Sequence, residues 1–497
     1  MTEIEELIRK FNDLVANLVS KNANDVNKLV EKLNTTITQC SLQLNVLTKI
    51  PFSTEQTLLS IKKLLLFSSS LSSSSSIIEN LDYDTLSEFL NILINLTSFE
   101  DILKIFNIGD LQMALKSGTV PLIQSACLII SNSYPKGIFA STIIFDILLD
   151  LYFNEDISIS IINEIDKIWV RLLSDQLIRD NILKNNYKLL EVIKKNLKPT
   201  PTVRLLNLLN ILLENMHSQN EFNSNIFIFS NDTILKILHD DILLFLHIIK
   251  YYSEWFTYIR NNQNYYWLLE YLKPIIFLMG SIFDQRDQYP DLIYFAKIPV
   301  FKFFQEVSYL PSSSIESDMQ IFKDLDEKYL HVSIENEFIN DYLSFINPDY
   351  LYRFYRSIID NYVVLTATQL LIFRNLISSK STFELIQNKL DAESILSLPY
   401  LEQMVLLEKM TKYEYSINYL IYQLPKVMTN LIDNNDNHIK EPETVQLRSE
   451  IIDALIKLSP EVLNVWYKPL KAEYVKVCNN VDTNRVEQPI VASSFSQ

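Results

Sequence analysis

The chain has 497 residues, 48% of them hydrophobic, and a formal net charge of −16 that repels phosphate backbones and argues against direct nucleic-acid binding. Its four glycines, Gly109, Gly118, Gly137 and Gly280, cannot compose G-x-x-x-x-G-K-[ST], G-x-G-x-x-G or G-x-S-x-G. Average usage would supply about thirty-five, so most glycine-dependent phosphate, dinucleotide and hydrolase loops are excluded by counting, although a bias towards Asn, Ile, Lys, Tyr and Phe accounts for part of the deficit.

Ile4, Leu7, Ile8, Phe11, Leu14, Val15 and Leu18 recur at three-and-four spacing opposite Glu6, Arg9, Lys10 and Asp13, which predicts an amphipathic helix. Thr2 with Glu5 has the spacing of a capping box, and Ser98 with Asp101 a related one. The acidic start, with no apolar run behind it, is not that of an export signal. From Asp110 the punctuation becomes regular: Gly118 ends one helix, Thr119 is placed to cap the next, and Pro121 sits in its first turn. Ser133–Gly137 breaks that helix before Ile143, Ile144, Ile147 and Leu148 begin another. Helical patterns recur at 157–173, 203–216, 241–259, 266–283, 292–307, 350–376, 401–413, 445–458 and 460–477.

Alternating runs such as 225–230 are short and isolated, and Asn-Gly and Asp-Gly hairpin signals are absent. The expected fold is therefore all-α. Helix pairs of about 40 to 47 residues point to an α-solenoid of stacked HEAT or armadillo-like pairs over residues 1–478, although a long helical bundle fits the same pattern. Three segments stand outside it: the serine run 68–76, read as a flexible loop; the acidic stretch 311–337, read as an inter-repeat loop; and the tail 479–497, expected to be disordered.

The longest apolar runs fall short of the about 18 residues of a membrane span, so no membrane association is expected. Cys40, Cys127 and Cys478 are odd in number and scattered, which fits a reducing cytosol or nucleus. The lysines Lys184, Lys188, Lys194, Lys195 and Lys198 are offset by Asp175, Asp180 and Glu191 and read as a solvated face. Five histidines form no His-Glu-x-x-His; His239 and His247, eight apart, are partly buried helix histidines before they are metal ligands, so no metal or cofactor is expected. Paired carboxylates such as Asp240 with Asp241, or Glu402 with Glu408, have no positioned nucleophile beside them and read as solvated or protein-binding. The chain is not expected to be an enzyme. Tyr251, Tyr252, Trp255, Phe256, Tyr258, Tyr265, Tyr266 and Trp267 cannot all face inward at helical spacing, so some join inter-helix packing and others form exposed surface beside Glu254 and Arg260. Tyr, Trp and Arg are the usual interface anchors. A second such region spans Tyr350 to Tyr362, and a third Tyr400 to Tyr415.

Several stretches resemble the fungal HSM family: Asn132-Ser133 with Pro135-Lys136-Gly137, Tyr289-Pro290-Asp291, Ile346-Asn347-Pro348, Arg374-Asn375-Leu376, Leu398 through Met404, Tyr413-Glu414-Tyr415 and Val465-Trp466-Tyr467. Their order and spacing hold from about residue 80 to 477. The resemblance implies a HEAT-repeat chaperone that assembles the base of the proteasome regulatory particle, in a family first named for a link to DNA mismatch repair. It further implies a C-shaped solenoid that holds the C-terminal helical domain of one AAA-type ATPase subunit, blocks premature docking on the core particle and is then displaced. A monomeric protein of the cytoplasm, and of the nucleus as well, is expected on that reading. The residues assigned to partner contact are Glu254, Tyr258, Arg260, Arg374, Asn375, Glu402, Tyr413 and Glu414, each of which also fits a satisfied contact between repeats. Pro135, Gly137, Pro348 and Pro399 are assigned to turns. A general scaffold or transport adaptor, and a mismatch-repair accessory protein, remain as alternatives.

Overall fold

The computed structural model describes residues 3–20, 26–45, 53–70, 80–216, 218–310, 320–433 and 441–483. The chain divides into two compact units, Met1–Trp255 and Phe256–Gln497. Every regular element among the described residues is a helix.

In the first unit the helices Tyr83–Leu96, Val120–Ser131, Ile159–Leu172 and Pro199–Glu214 lie side by side, each packed on the next. Their starts are about 40 residues apart, the period of a HEAT-like repeat. A second row flanks them: Ile108–Lys116 packs on Val120–Ser131, and Ile144–Phe153 packs on both Ile159–Leu172 and Pro199–Glu214. The second unit repeats the arrangement with Lys297–Ser308, Ile339–Phe345, Leu370–Leu376, Tyr400–Met410, Pro442–Ile456 and Tyr467–Thr483. The fold is an all-α solenoid of stacked helix pairs.

Periodicity dictates these helices. In Ile159–Leu172 the buried residues are Ile161, Ile162, Ile165, Ile168, Trp169 and Leu172, a stripe that no strand can bury on one face. Ser98 caps Phe99–Ile105 as its spacing predicts, its Oγ accepting from the Asp101 amide at 3.3 Å. Asn107 and Asp110 form a full capping box at Ile108–Lys116. Gly118, at φ +70°, takes the left-handed position that follows this helix. Thr119 holds the cap position of Val120–Ser131 without a side-chain bond, and Pro121 sits in the first turn.

With so few glycines, most helix C-termini need another partner for their last carbonyls. Side chains from other elements supply it. Arg204 Nη1 donates to Tyr152 O and Asn154 O, both at 2.8 Å, at the end of Ile144–Phe153. Lys389 Nζ donates to Ile359 O, Asp360 O and Val363 O at 2.9, 2.7 and 2.7 Å at the end of Arg356–Tyr362. Lys62 Nζ reaches Ile105 O at 2.7 Å and pairs with Asp110 at 2.6 Å.

The structure corrects several expectations. The helix expected over 350–376 is three helices, Pro348–Phe354, Arg356–Tyr362 and Leu370–Leu376. The run Val363 to Thr366 is extended, with the Val364 amide donating to Gln369 Oε1 at 2.8 Å. Ser68 belongs to the helix Glu55–Ser70 and donates to Leu65 O, so the serine run begins helical; residues 71–76 lie outside the described residues. The acidic stretch 311–337 is not a loop throughout: Gln320–Leu325 is helical and Asp326–Leu330 continues it as a π turn, while 311–319 lie outside the described residues. The last helix runs to Thr483, past the expected onset of the tail, and 484–497 lie outside the described residues. So do Thr2, and with it the Thr2–Glu5 box.

Candidate protein-binding face

At the ends and starts of helices in the second unit, polar and aromatic side chains form a row. It starts at Arg260, whose Nη1 lies 3.0 Å from Glu306 Oε2 and whose guanidinium carbon stands 6.0 Å from the Tyr309 ring centre. Burial raises the Glu306 carboxyl above its ordinary range, against the opposing pull of Arg260. The half-buried Tyr309 hydroxyl, pushed up to about 12 by burial, feels the charges of Tyr413, Asp349, Arg260 and Glu306. Asp349, exposed, accepts a hydrogen bond from Ser379 Oγ.

From there the row reaches Arg374 and Tyr413. Arg374 Nη2 lies 4.0 Å from Glu408 Oε2, while the other Glu408 oxygen sits 2.5 Å from Lys412 Nζ. Tyr413 stacks on Tyr415, ring centres 5.5 Å apart and 16° from parallel, and Lys409 Nζ donates to its hydroxyl at 3.3 Å. Burial raises the Tyr413 hydroxyl, but hydrogen bonds from Ser378 and Lys409 and the charges of Lys409 and Lys412 outweigh it, so the net shift is downward. Tyr415 is fixed beneath by donation to Ile377 O at 2.7 Å.

Arg260, Arg374 and Tyr413 are thus the sequence-assigned residues that this row brings together. Glu402 is half-buried and Glu414 exposed on the flanking helices, outside the network among the described residues. Tyr258 is half-buried, 6.1 Å ring to ring from Tyr265. Asn375 is a correction: it is buried, and its Nδ2 donates to Leu343 O at 2.8 Å and Ile346 O at 2.7 Å, so it serves as a C-terminal cap rather than a contact for a partner. Glu254 belongs to the first unit, where its carboxylate accepts from Asn210 Nδ2 and lies 3.8 Å from Lys250; burial raises its carboxyl. Asn210 in turn accepts from Trp255 Nε1 at 3.1 Å, so this corner is an inter-helix tie. The aromatic run around it is core: Tyr251, Tyr252, Trp255 and Phe256 are all buried.

Sequence reasoning missed Glu306, Tyr309, Asp349 and the paired serines Ser378 and Ser379. Their separation along the chain hides the row, and the one available signal is that each closes a helix or opens the next. It also missed a buried carboxylate. Asp326, 4% exposed, accepts from Tyr350 at 2.6 Å and Tyr355 at 2.7 Å.

None of the described residues form a cluster of His, Cys, Asp and Glu fit to hold a metal ion. His239 is exposed and 3.0 Å from Asp240. No helix among them is long and apolar enough to cross a membrane.

Family models described as DNA mismatch repair protein HSM3, N terminal domain, and DNA mismatch repair protein HSM3, C terminal domain, match residues 12–257 and 265–496. The junction between them falls beside the division between the two compact units. Similar proteins named DNA mismatch repair protein HSM3 occur in Saccharomyces cerevisiae, 35% identical over 95% of this chain and 96% of the relative, and in Candida glabrata, 34% identical over 99% and 100%. That of Eremothecium gossypii is 32% identical over 96% of both. The chain belongs to the HSM3 family.

Proposed function

We propose that this chain is an assembly chaperone of the proteasome regulatory-particle base, which binds the C-terminal helical domain of one AAA-type ATPase subunit and controls its joining with other base subunits by steric means. It makes and breaks no bond, needs no cofactor or metal, acts as a monomer in the cytoplasm and nucleus, and touches neither membrane nor nucleic acid directly. The observation that carries this reading is the row that joins Arg260 to Tyr309 and, through Glu408 and Lys412, Arg374 to the neighbourhood of Tyr413. Such side chains supply most of the energy of protein interfaces, and stacked helix pairs present them over a long surface. Membership of the family supports the choice of partner through the resemblance described above.

The test is size-exclusion chromatography with light scattering on the full chain, alone and with the isolated C-terminal domain of each proteasomal ATPase. A one-to-one complex with a single domain is expected. Absence of any complex overturns the reading.

A second reading, an accessory protein of DNA mismatch repair, is favoured by the names of the relatives. It predicts binding to mismatch-repair proteins, and a pull-down with those proteins in place of the ATPase domains separates the two.

A further inference from the structure

Arg374 is weakly satisfied for a guanidinium. Among the described residues its buried Nε has no hydrogen-bond partner, and its one ion-pair contact, to Glu408, is at 4.0 Å. Glu408 is held instead by Lys412 at 2.5 Å, so Arg374 receives the weaker share of one carboxylate. A guanidinium carries five donors in a planar fork that matches a carboxylate with two parallel bonds. Here the side chain is 36% exposed, so its outer edge faces solvent. This contrasts with the other arginines that serve structure: Arg179 and Arg448 are both buried, paired at 2.9 Å and bonded to backbone carbonyls.

The surroundings fit a protein ligand. Leu371, one turn before Arg374 on the same face of Leu370–Leu376, is 56% exposed, and Ser378, one turn after, carries a hydroxyl that donates to Arg374 O at 3.3 Å. An apolar side chain, a cation and a hydroxyl thus line one stripe. Glu306 and Glu408 are each held by another cation, Arg260 at 3.0 Å and Lys412 at 2.5 Å, both closer than Arg374 lies to Glu408.

We infer that Arg374 with Leu371 forms a seat for an acidic side chain flanked by an apolar one on a helix of the bound protein, and that Arg374 grips that carboxylate with two parallel bonds. This rests on the function proposed above and names the chemistry that the partner brings. The charge of the partner's contacting helix follows from it: acidic at this point, although the chain as a whole carries −16.

The test measures affinity of the full chain for the ATPase C-terminal domain that forms the complex, by calorimetry. Arg374→Gln lowers affinity about 10- to 100-fold, the range of a charge-assisted bond lost, and flattens the dependence of Kd on salt. Arg374→Lys recovers only part, because an ammonium offers no planar fork. Arg374→Glu combined with an acid-to-Lys substitution on the domain restores binding that either change alone removes. Circular dichroism and unfolding midpoints within error of the wild type separate this from misfolding. If Arg374→Gln and Arg374→Glu both bind as the wild type does, the seat is overturned while the chaperone reading stands. If no ATPase domain binds the wild type, that reading falls and takes the assigned occupant with it.

Discussion

The Arg448 guanidinium meets the Glu473 carboxylate at 2.9 Å with the two side chains 5% and 9% exposed. Arg448 also donates to Leu431 O from both Nε and Nη2, closing the end of the helix Pro425–Ile432. One side chain therefore joins three helices, and it does the work that a glycine cap does elsewhere. Removing one member leaves a buried charge unpaired, which costs about 3–5 kcal/mol. Arg448→Met is expected to lose that much in urea unfolding, and Glu473→Gln a comparable amount. Arg448→Met combined with Glu473→Met is expected to recover only part of it, because two apolar side chains remove the desolvated charges but leave Leu431 O and Ile432 O without their donor.

Asp326 gives the second unit a defined pH response. Burial raises its carboxyl, against hydrogen bonds from Tyr350 and Tyr355 and the charge of His331. A carboxyl raised on folding favours the native state when protonated, so its contribution is fully present below the unfolded value and is lost as pH rises through the folded one. Asp326→Asn cannot ionise. The wild type is thus expected to lose stability relative to Asp326→Asn between the ordinary carboxylate range and neutrality. Paired urea titrations at pH 4 and pH 7 check this, and an unchanged difference between the two pH values counts against it.

The same residue shows where sequence reading stops. Some proline breaks were legible, since Pro121 and Pro460 stand in the first turn of a helix as the sequence places them, where a missing amide costs nothing. Pro348, Pro425 and Pro442, by contrast, open helices that the pattern starts later or does not show. Apolar stripes such as Ile161 to Leu172 were equally legible, because burial follows the helical period. The breaks inside 350–376 were not. At one of them Tyr355 is bonded to Asp326 and at the other Val363 to Lys389, partners 29 and 26 residues away, and local propensity carries no trace of either bond. Likewise Arg374 and Tyr413 were singled out as surface residues, whereas Asp349 and Tyr309 become part of the row only once the helices stack. Asn375 went wrong for the same reason: an Asn next to an Arg reads as polar surface until its neighbours Leu343 and Ile346 are placed.

Gly280 sits within Leu268–Asp284, where alanine would normally raise helix stability by about 1 kcal/mol. A Cβ there would stand 2.5 Å from Leu325 Cδ1 and 2.8 Å from Tyr329 Cδ2. Overpacking of this kind costs about 1–3 kcal/mol, which reverses the sign expected from propensity. Gly280→Ala is expected to lower the thermal midpoint. Leu325→Ala removes the nearer clash at the cost of its own cavity, so in that background Gly280→Ala is expected to cost less than it does in the wild type. A midpoint above that of the wild type for Gly280→Ala alone argues against the close approach.

Direct DNA binding makes a contrasting prediction, because phosphate contacts need uncommitted cations. The lysine-rich stretch of the first unit offers few. Lys184 pairs with Asp180 at 3.0 Å, Lys195 with Glu191 at 2.8 Å and Lys198 with Glu155 at 2.7 Å. Lys194 donates to Asn225 O and Ile228 O, and burial lowers its ammonium to about 8, against the charge of Glu191. Each pair would have to open before a phosphate was neutralised, against a net charge of −16. Fluorescence anisotropy with a mismatched duplex is therefore expected to show no binding at physiological salt, even at about 100 μM protein, the weak end of ordinary non-specific affinity. A complex that weakens linearly with log salt, and that is lost in Lys184→Ala combined with Lys195→Ala and Lys198→Ala, would instead put the repair reading first, because it would show those pairs giving way to phosphate.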